Sequence, residues 1–220
     1  MANFADLLKK IAANARLTPQ ELDELGRFGT DTQQRNAFVA GNTTPQNALN
    51  VVFPFAPIYS EIFENDKASV TIPIPENYNN LMIVGNGRTT KADYYEDIAL
   101  RFNGDTGANY DRQNIFGLNT LAAASQFTGQ TSVFIGTFCA ASATALARGS
   151  FIAFATNVKS TSWKPIQTLR SARYLSPTNM YASYTGSYWE GATPVNSITL
   201  FPADGNNFLA TTALSVYGIV

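Results

Sequence analysis

Ser69-Val70-Thr71-Ile72-Pro73-Ile74 is the stretch that decides how this chain folds. Apolar residues stand at every second position. An extended backbone therefore sends Val70, Ile72 and Ile74 to one face and their polar neighbours to the other. Ser197-Ile198-Thr199-Leu200 repeats the pattern near the other end. From Asn50 onward the chain is rich in Val, Ile, Phe, Tyr and Thr and is broken by Gly, Pro, Asn and Asp. Ten short strands are expected: Val51–Phe55, Ala68–Ile74, Asn80–Val84, Asp97–Phe102, Ser132–Phe138, Gly149–Ala155, Trp163–Gln167, Asn179–Tyr184, Ser197–Phe201 and Ala213–Tyr217. Residues 46–220 thus read as mainly β, a jelly-roll-like antiparallel β-sandwich domain. Leu118–Thr131 is rich in Ala, Ser and Gln without a period and is expected as a loop with at most one helical turn. Ala140–Ala147 reads as a small-residue surface suited to contact between subunits.

Upstream, the period changes. Phe4, Leu7, Leu8, Ile11, Ala12 and Ala15 recur at helical spacing and form one apolar stripe. Thr18 can cap a second helix, with Pro19 at its first position and Glu21 closing a capping box. Leu22, Leu25 and Phe28 continue its apolar face, and Gly26 and Gly29 mark its end. A third helical piece is expected over Asp31–Val39, before a hinge at Gly41–Pro45. Isolated helices of about 12 residues are marginal in water. Residues 1–45 are therefore expected to be a short α-helical N-terminal arm for anchoring or oligomerisation. Phe4, Leu7, Leu8, Ile11, Leu22, Leu25 and Phe28 are its partner-binding residues.

Composition narrows the function. Of 220 residues, 45% are hydrophobic and only 14% charged, against about 25% charged in a typical soluble domain. Burial between subunits is the expected use of so uncharged a surface. A net charge of −1 offers no field for phosphates, which speaks against nucleic acid. No apolar run of about 18 residues is present to span a membrane. Met1–Asp6 lacks the basic and apolar regions of a secretory signal. Cys139 is the single cysteine and sits in the apolar run from Val133 to Ala141, which fits packing and a reducing site of synthesis such as a host cytoplasm. Histidine is absent, so Ser-His-Asp and Cys-His nucleophiles and a conventional zinc site are excluded. No catalytic residue, cofactor or metal is expected.

Four motifs invite chemistry. Gly85-Asn86-Gly87 follows an apolar run, but a dinucleotide fingerprint needs a third glycine where Thr90 stands, so a strand-ending turn is expected. Asn103–Asp111 spaces oxygen-bearing side chains as a hard cation would require, but it lacks the late bidentate glutamate. A loop bonded to itself is the expectation. The acidic clusters Glu61, Glu64, Asp66 and Glu96, Asp97 could pair carboxylates for glycoside hydrolysis, although solvated turn charge accounts for them. Tyr184, Tyr188 and Trp189 present flat faces that suit a glycan or receptor.

The C-terminal segments Asn196–Phe208 and Ser215–Ile219 resemble the closing signature of a β-sandwich domain in tailed-bacteriophage virion proteins: a strand, a Gly-Asn-Phe-like turn and a last strand ending Tyr217-Gly218-Ile219. Leu81–Arg88 and Leu100–Tyr110 are similar to two earlier elements of the same proteins. The resemblance covers about residues 50–220. Leu209-Ala210-Thr211-Thr212 departs from it, and the helical arm is not part of it. It implies a non-enzymatic virion component of the tail, baseplate or capsid surface, homotrimeric, in contact with other virion proteins. A module that binds a host receptor or glycan is the alternative.

Overall fold

The structure is a computed structural model and describes residues 55–173 and 179–219. The expected arm at 1–45, with Phe4, Leu7, Leu8, Ile11, Leu22, Leu25 and Phe28, and the hinge lie outside the described residues. The described residues belong to one compact unit that starts at Phe55. They form twelve strands: β1 (Phe55–Ile62), β2 (Val70–Pro73), β3 (Asn80–Gly87), β4 (Tyr95–Phe102), β5 (Tyr110–Leu118), β6 (Leu121–Gln130), β7 (Val133–Cys139), β8 (Gly149–Ala155), β9 (Lys164–Arg173), β10 (Met180–Trp189), β11 (Ser197–Pro202) and β12 (Ala213–Ile219). Every pair of neighbouring strands is antiparallel.

The strands build two sheets. The large one runs β1-β12-β3-β8-β9-β10-β5-β6 and the small one β2-β11-β4-β7. Alternation explains how they meet. Leu81, Ile83, Phe151, Leu214 and Val216 point inward from the large sheet, and Ile72, Ile98, Leu100, Ile198 and Leu200 from the small one. All are buried in one core. The chain is thus mainly β and a sandwich, as its alternating segments predict.

Two sequence expectations change. Leu118–Thr131 is not a loop: it completes β5, turns through Asn119-Thr120 and forms β6. Asn119 sits in the left-handed region, as a two-residue hairpin requires. Gly85-Asn86-Gly87 is not a turn either, because β3 runs through Gly87. A Cβ on Gly85 would stand 2.3 Å from the Phe151 ring, and one on Gly87 2.4 Å from Thr212 Oγ1. The two glycines make room for inward side chains, Phe151 of β8 and Thr212 just ahead of β12. Among the described residues no helix is present.

Residues 140–147 are turns organised by one charge. The Arg88 guanidinium donates to the carbonyl oxygens of Thr144 (2.6 Å), Ala147 (2.7 Å), Ala140 (2.8 Å), Ala143 (3.0 Å) and Ala145 (3.3 Å). Leu146 stands almost fully exposed at the tip.

Candidate functional site

The outer face of the large sheet is the most unusual surface among the described residues. Its strands alternate, so each contributes every second residue, and the register lines these residues up in rows across the strands. One row reads Val84, Ile152, Leu169, Tyr184, Ile115 and Ala124, each the direct cross-strand partner of the next. Ile115 is 61% exposed and Leu169 55%. The row beside it reads Asn86, Ser150, Ser171, Ala182, Gly117 and Ala122. Tall side chains beside short ones make a concave groove of about 850 Å³, lined almost wholly by apolar atoms. On the far side of the tall row stand Met82, Phe154, Gln167, Gly186, Gln113 and Gln126. None of these three rows carries a charge.

Beneath the groove, the interior turns polar. Arg170 points inward from β9. It donates from Nε to Ser183 Oγ (2.8 Å), from Nη1 to Asp97 Oδ1 (2.9 Å) and the Gly136 carbonyl (3.2 Å), and from Nη2 to the Tyr181 hydroxyl (3.1 Å). Thr137 Oγ1 donates to the same Asp97 oxygen at 2.7 Å. Thr185 donates to Asn114 Oδ1 at 2.8 Å. Arg112, from β5, is buried between two rings, with its guanidinium carbon 3.8 Å from the Phe134 centroid and 4.3 Å from that of Phe127. Its Nε and Nη1, and Oγ of its cross-strand neighbour Ser187, have no protein partner. Burial lowers the Arg112 pKa below the ordinary value.

The aromatic trio separates along β10. Tyr184 and Tyr188 are exposed on the outer face, with Gly186 between them. Trp189 is 2% exposed and faces the core, because it is one residue out of phase with Tyr188. It lies over Tyr110 and Phe102, with ring centroids 6.4 and 5.2 Å away, and so offers no free face to a ligand. Its Nε1 donates to Asp105 Oδ2 at 2.7 Å. The Asp105 carboxylate also accepts from Gly107 N (2.8 Å) and Asn109 Nδ2 (2.9 Å). Burial opposes its ionised form, but the three donors outweigh burial and hold its pKa below the ordinary carboxylate value. The Asn103–Asp111 loop thus uses its acid to hold itself and Trp189 in place. Lys164, fully buried below, donates to the carbonyls of Gly191 (2.9 Å) and Thr193 (2.7 Å), and burial lowers its pKa.

No protein-family model matches this chain, and no curated protein matches it. Among solved structures, a galectin from Caenorhabditis elegans is similar at a TM-score of 0.28 with 12% identity, over 72% of this chain and 94% of the galectin. A candidate pore-forming toxin from Bacteroides vulgatus aligns at a TM-score of 0.07 with 9% identity, over 65% of this chain and 54% of that protein. Scores this low assign neither fold nor function, so the architecture rests on the strand pairing itself.

Among the described residues, no group of three or more Asp, Glu or Cys is placed to hold a metal ion, and no helix is long and apolar enough to cross a membrane. Sequence reasoning missed the groove because its wall is built from six strands spread along the chain. Only the low overall charge hinted at it.

Proposed function

We propose that this chain is a non-enzymatic structural component of a bacteriophage virion, one that buries the outer face of its large sheet against sister copies. The observation that carries this reading is the uncharged groove, with Leu169, Tyr184 and Ile115 aligned on solvent. Burying apolar area is the main drive of stable association, and rows without charge avoid the heavy desolvation cost of buried ions. The threefold arrangement and the virion setting come from the resemblance of residues 50–220. Size-exclusion chromatography with light scattering tests the contact. The chain should run as an oligomer at micromolar concentration, and Leu169→Glu should shift it to a smaller assembly. A wild-type monomer would sink the reading. For the setting, an antibody raised to the purified chain should label intact phage particles in electron micrographs; bare particles would remove the virion from the proposal.

Tyr184 and Tyr188 favour a second reading. Both rings stand on one face of β10 and Gly186 leaves a flat slot between them, a geometry that suits a host-surface glycan. Tyr188→Ala should then lower adsorption to host cells. Unchanged adsorption would remove this alternative.

A further inference from the structure

The two edges of the large sheet differ in kind. A free edge presents unpaired backbone donors and acceptors, and proteins guard such edges with Pro, charges or bulges. β1 carries all three: Pro57, Glu61 and a register irregularity between Pro57 and Tyr59. β6 has neither proline nor charge, and its one irregularity, beside Gly129 at φ 62°, lies beyond Phe127 at the far end of the strand. Leu121–Gln130 is ten residues long with no charge and no proline, and among the described residues it pairs with β5 alone. The guard is missing along residues 121–127, seven residues of regular edge.

We propose that β6 pairs antiparallel with β6 of a second copy, about a twofold axis at Ala124. In an antiparallel ladder, directly opposed residues share a face. Leu121 and Phe127 each stand three residues from Ala124, on the inward-facing side. They are 56% and 39% exposed. An axis at Ala124 sets Leu121 opposite Phe127 of the second copy, and Phe127 opposite its Leu121, so each exposed apolar side chain of β6 is covered by its counterpart. Such an isologous contact uses one patch twice and closes on itself. Ala124 belongs to the outer face as the cross-strand partner of Ile115. The apolar row would therefore continue unbroken from one copy into the next. A foreign extended peptide could also add to this edge, but the mutual fit of Leu121 and Phe127 is specific to a second β6.

The inference rests on self-association, as the proposed function does, but it uses the sheet's edge instead of its face. The full chain carrying Ala124→Cys, treated with a short bifunctional thiol reagent, should give a covalent dimer. Buried Cys139 stays silent. Ala124→Lys, an exposed change that leaves β5 pairing intact, should weaken dimerisation in analytical ultracentrifugation by at least about tenfold, because two like charges meet on the axis. Absence of the cross-linked dimer, or an Ala124→Lys chain that dimerises like the wild type, would overturn the proposal. Adding Leu169→Glu to Ala124→Cys separates the two contacts. Cross-linking that persists there supports the edge on its own. A Leu169→Glu chain that assembles normally would count against the face while leaving the edge standing.

Discussion

The interior of this sandwich has two halves built on opposite principles. Where β2, β11 and β4 face β12, β3 and β8, the contact is hydrocarbon: Ile72, Leu81, Ile83, Leu100, Ile198 and Leu214 need no partner beyond shape. Under the middle of β9, β10 and β5 the inward positions include Thr168, Arg170, Ser183, Thr185, Asn114 and Arg112, and each requires hydrogen bonds. An apolar half tolerates small shifts of its strands, whereas a polar half holds only where donors and acceptors coincide. Arg170 meets that demand at all three nitrogens, and Arg112 leaves two of its three without a protein partner.

The largest expected effect belongs to the apolar half. Phe138 packs against Phe151 and Phe208, with centroids 5.7 and 6.1 Å away. Phe138→Ala should cost about 4 kcal/mol in urea unfolding, the transfer and cavity terms together. A loss below about 1 kcal/mol would mean that this half is not the main source of stability. Next comes Arg170→Met, which strands Asp97, Ser183 and Tyr181 from their shared donor and should cost about 2–3 kcal/mol. Arg112→Met sharpens the contrast. The same substitution one strand further on from β10 removes a charge whose donors go unmet, so stability should stay within about 1 kcal/mol of wild type or rise. Equal losses at the two arginines would erase the distinction between them.

The smallest effect is one of pH. The folded pKa of Asp105 is depressed, so it binds its proton less readily in the folded chain than in the unfolded one. Its stabilisation is therefore present above the unfolded value, about 3.9, and is lost as pH falls through the folded one. Asp105→Asn should flatten that part of the acid limb in thermal melts taken between pH 2 and 5, a window set by the same two limits. An acid limb of unchanged slope would show that the carboxylate does not couple to folding.

The apolar half was legible in the sequence because its alternation coincides with its burial. Val70-Thr71-Ile72, Leu81–Val84 and Ile198–Leu200 announce their inward faces directly. The polar half reads backwards. In β5 the inward residues are Tyr110, Arg112 and Asn114, while Ile115 points to solvent, so a hydrophobicity pattern assigns no strand there. β6 is exposed along most of both faces, and a strand with two wet faces has no reason to alternate. Trp163–Gln167 caught the start of β9 and lost the rest for the same reason: Thr168 and Arg170 occupy inward positions. Trp189 was expected beside Tyr188 as a contact residue, but adjacency in a strand places neighbours on opposite sides. The groove needs the register of six strands, which no local pattern contains.

Arg88 has a consequence for how this surface can vary. It grips residues 140–147 through main-chain oxygens alone, which every amino acid possesses. Buried Ala140 and Ala143 still need small side chains, but the path of the exposed part of the turn is thereby uncoupled from the identity of the side chains it displays. Leu146 at its tip could be exchanged for a residue of different character while the backbone beneath it keeps its course, so the loop can change what it displays without remaking the scaffold that displays it.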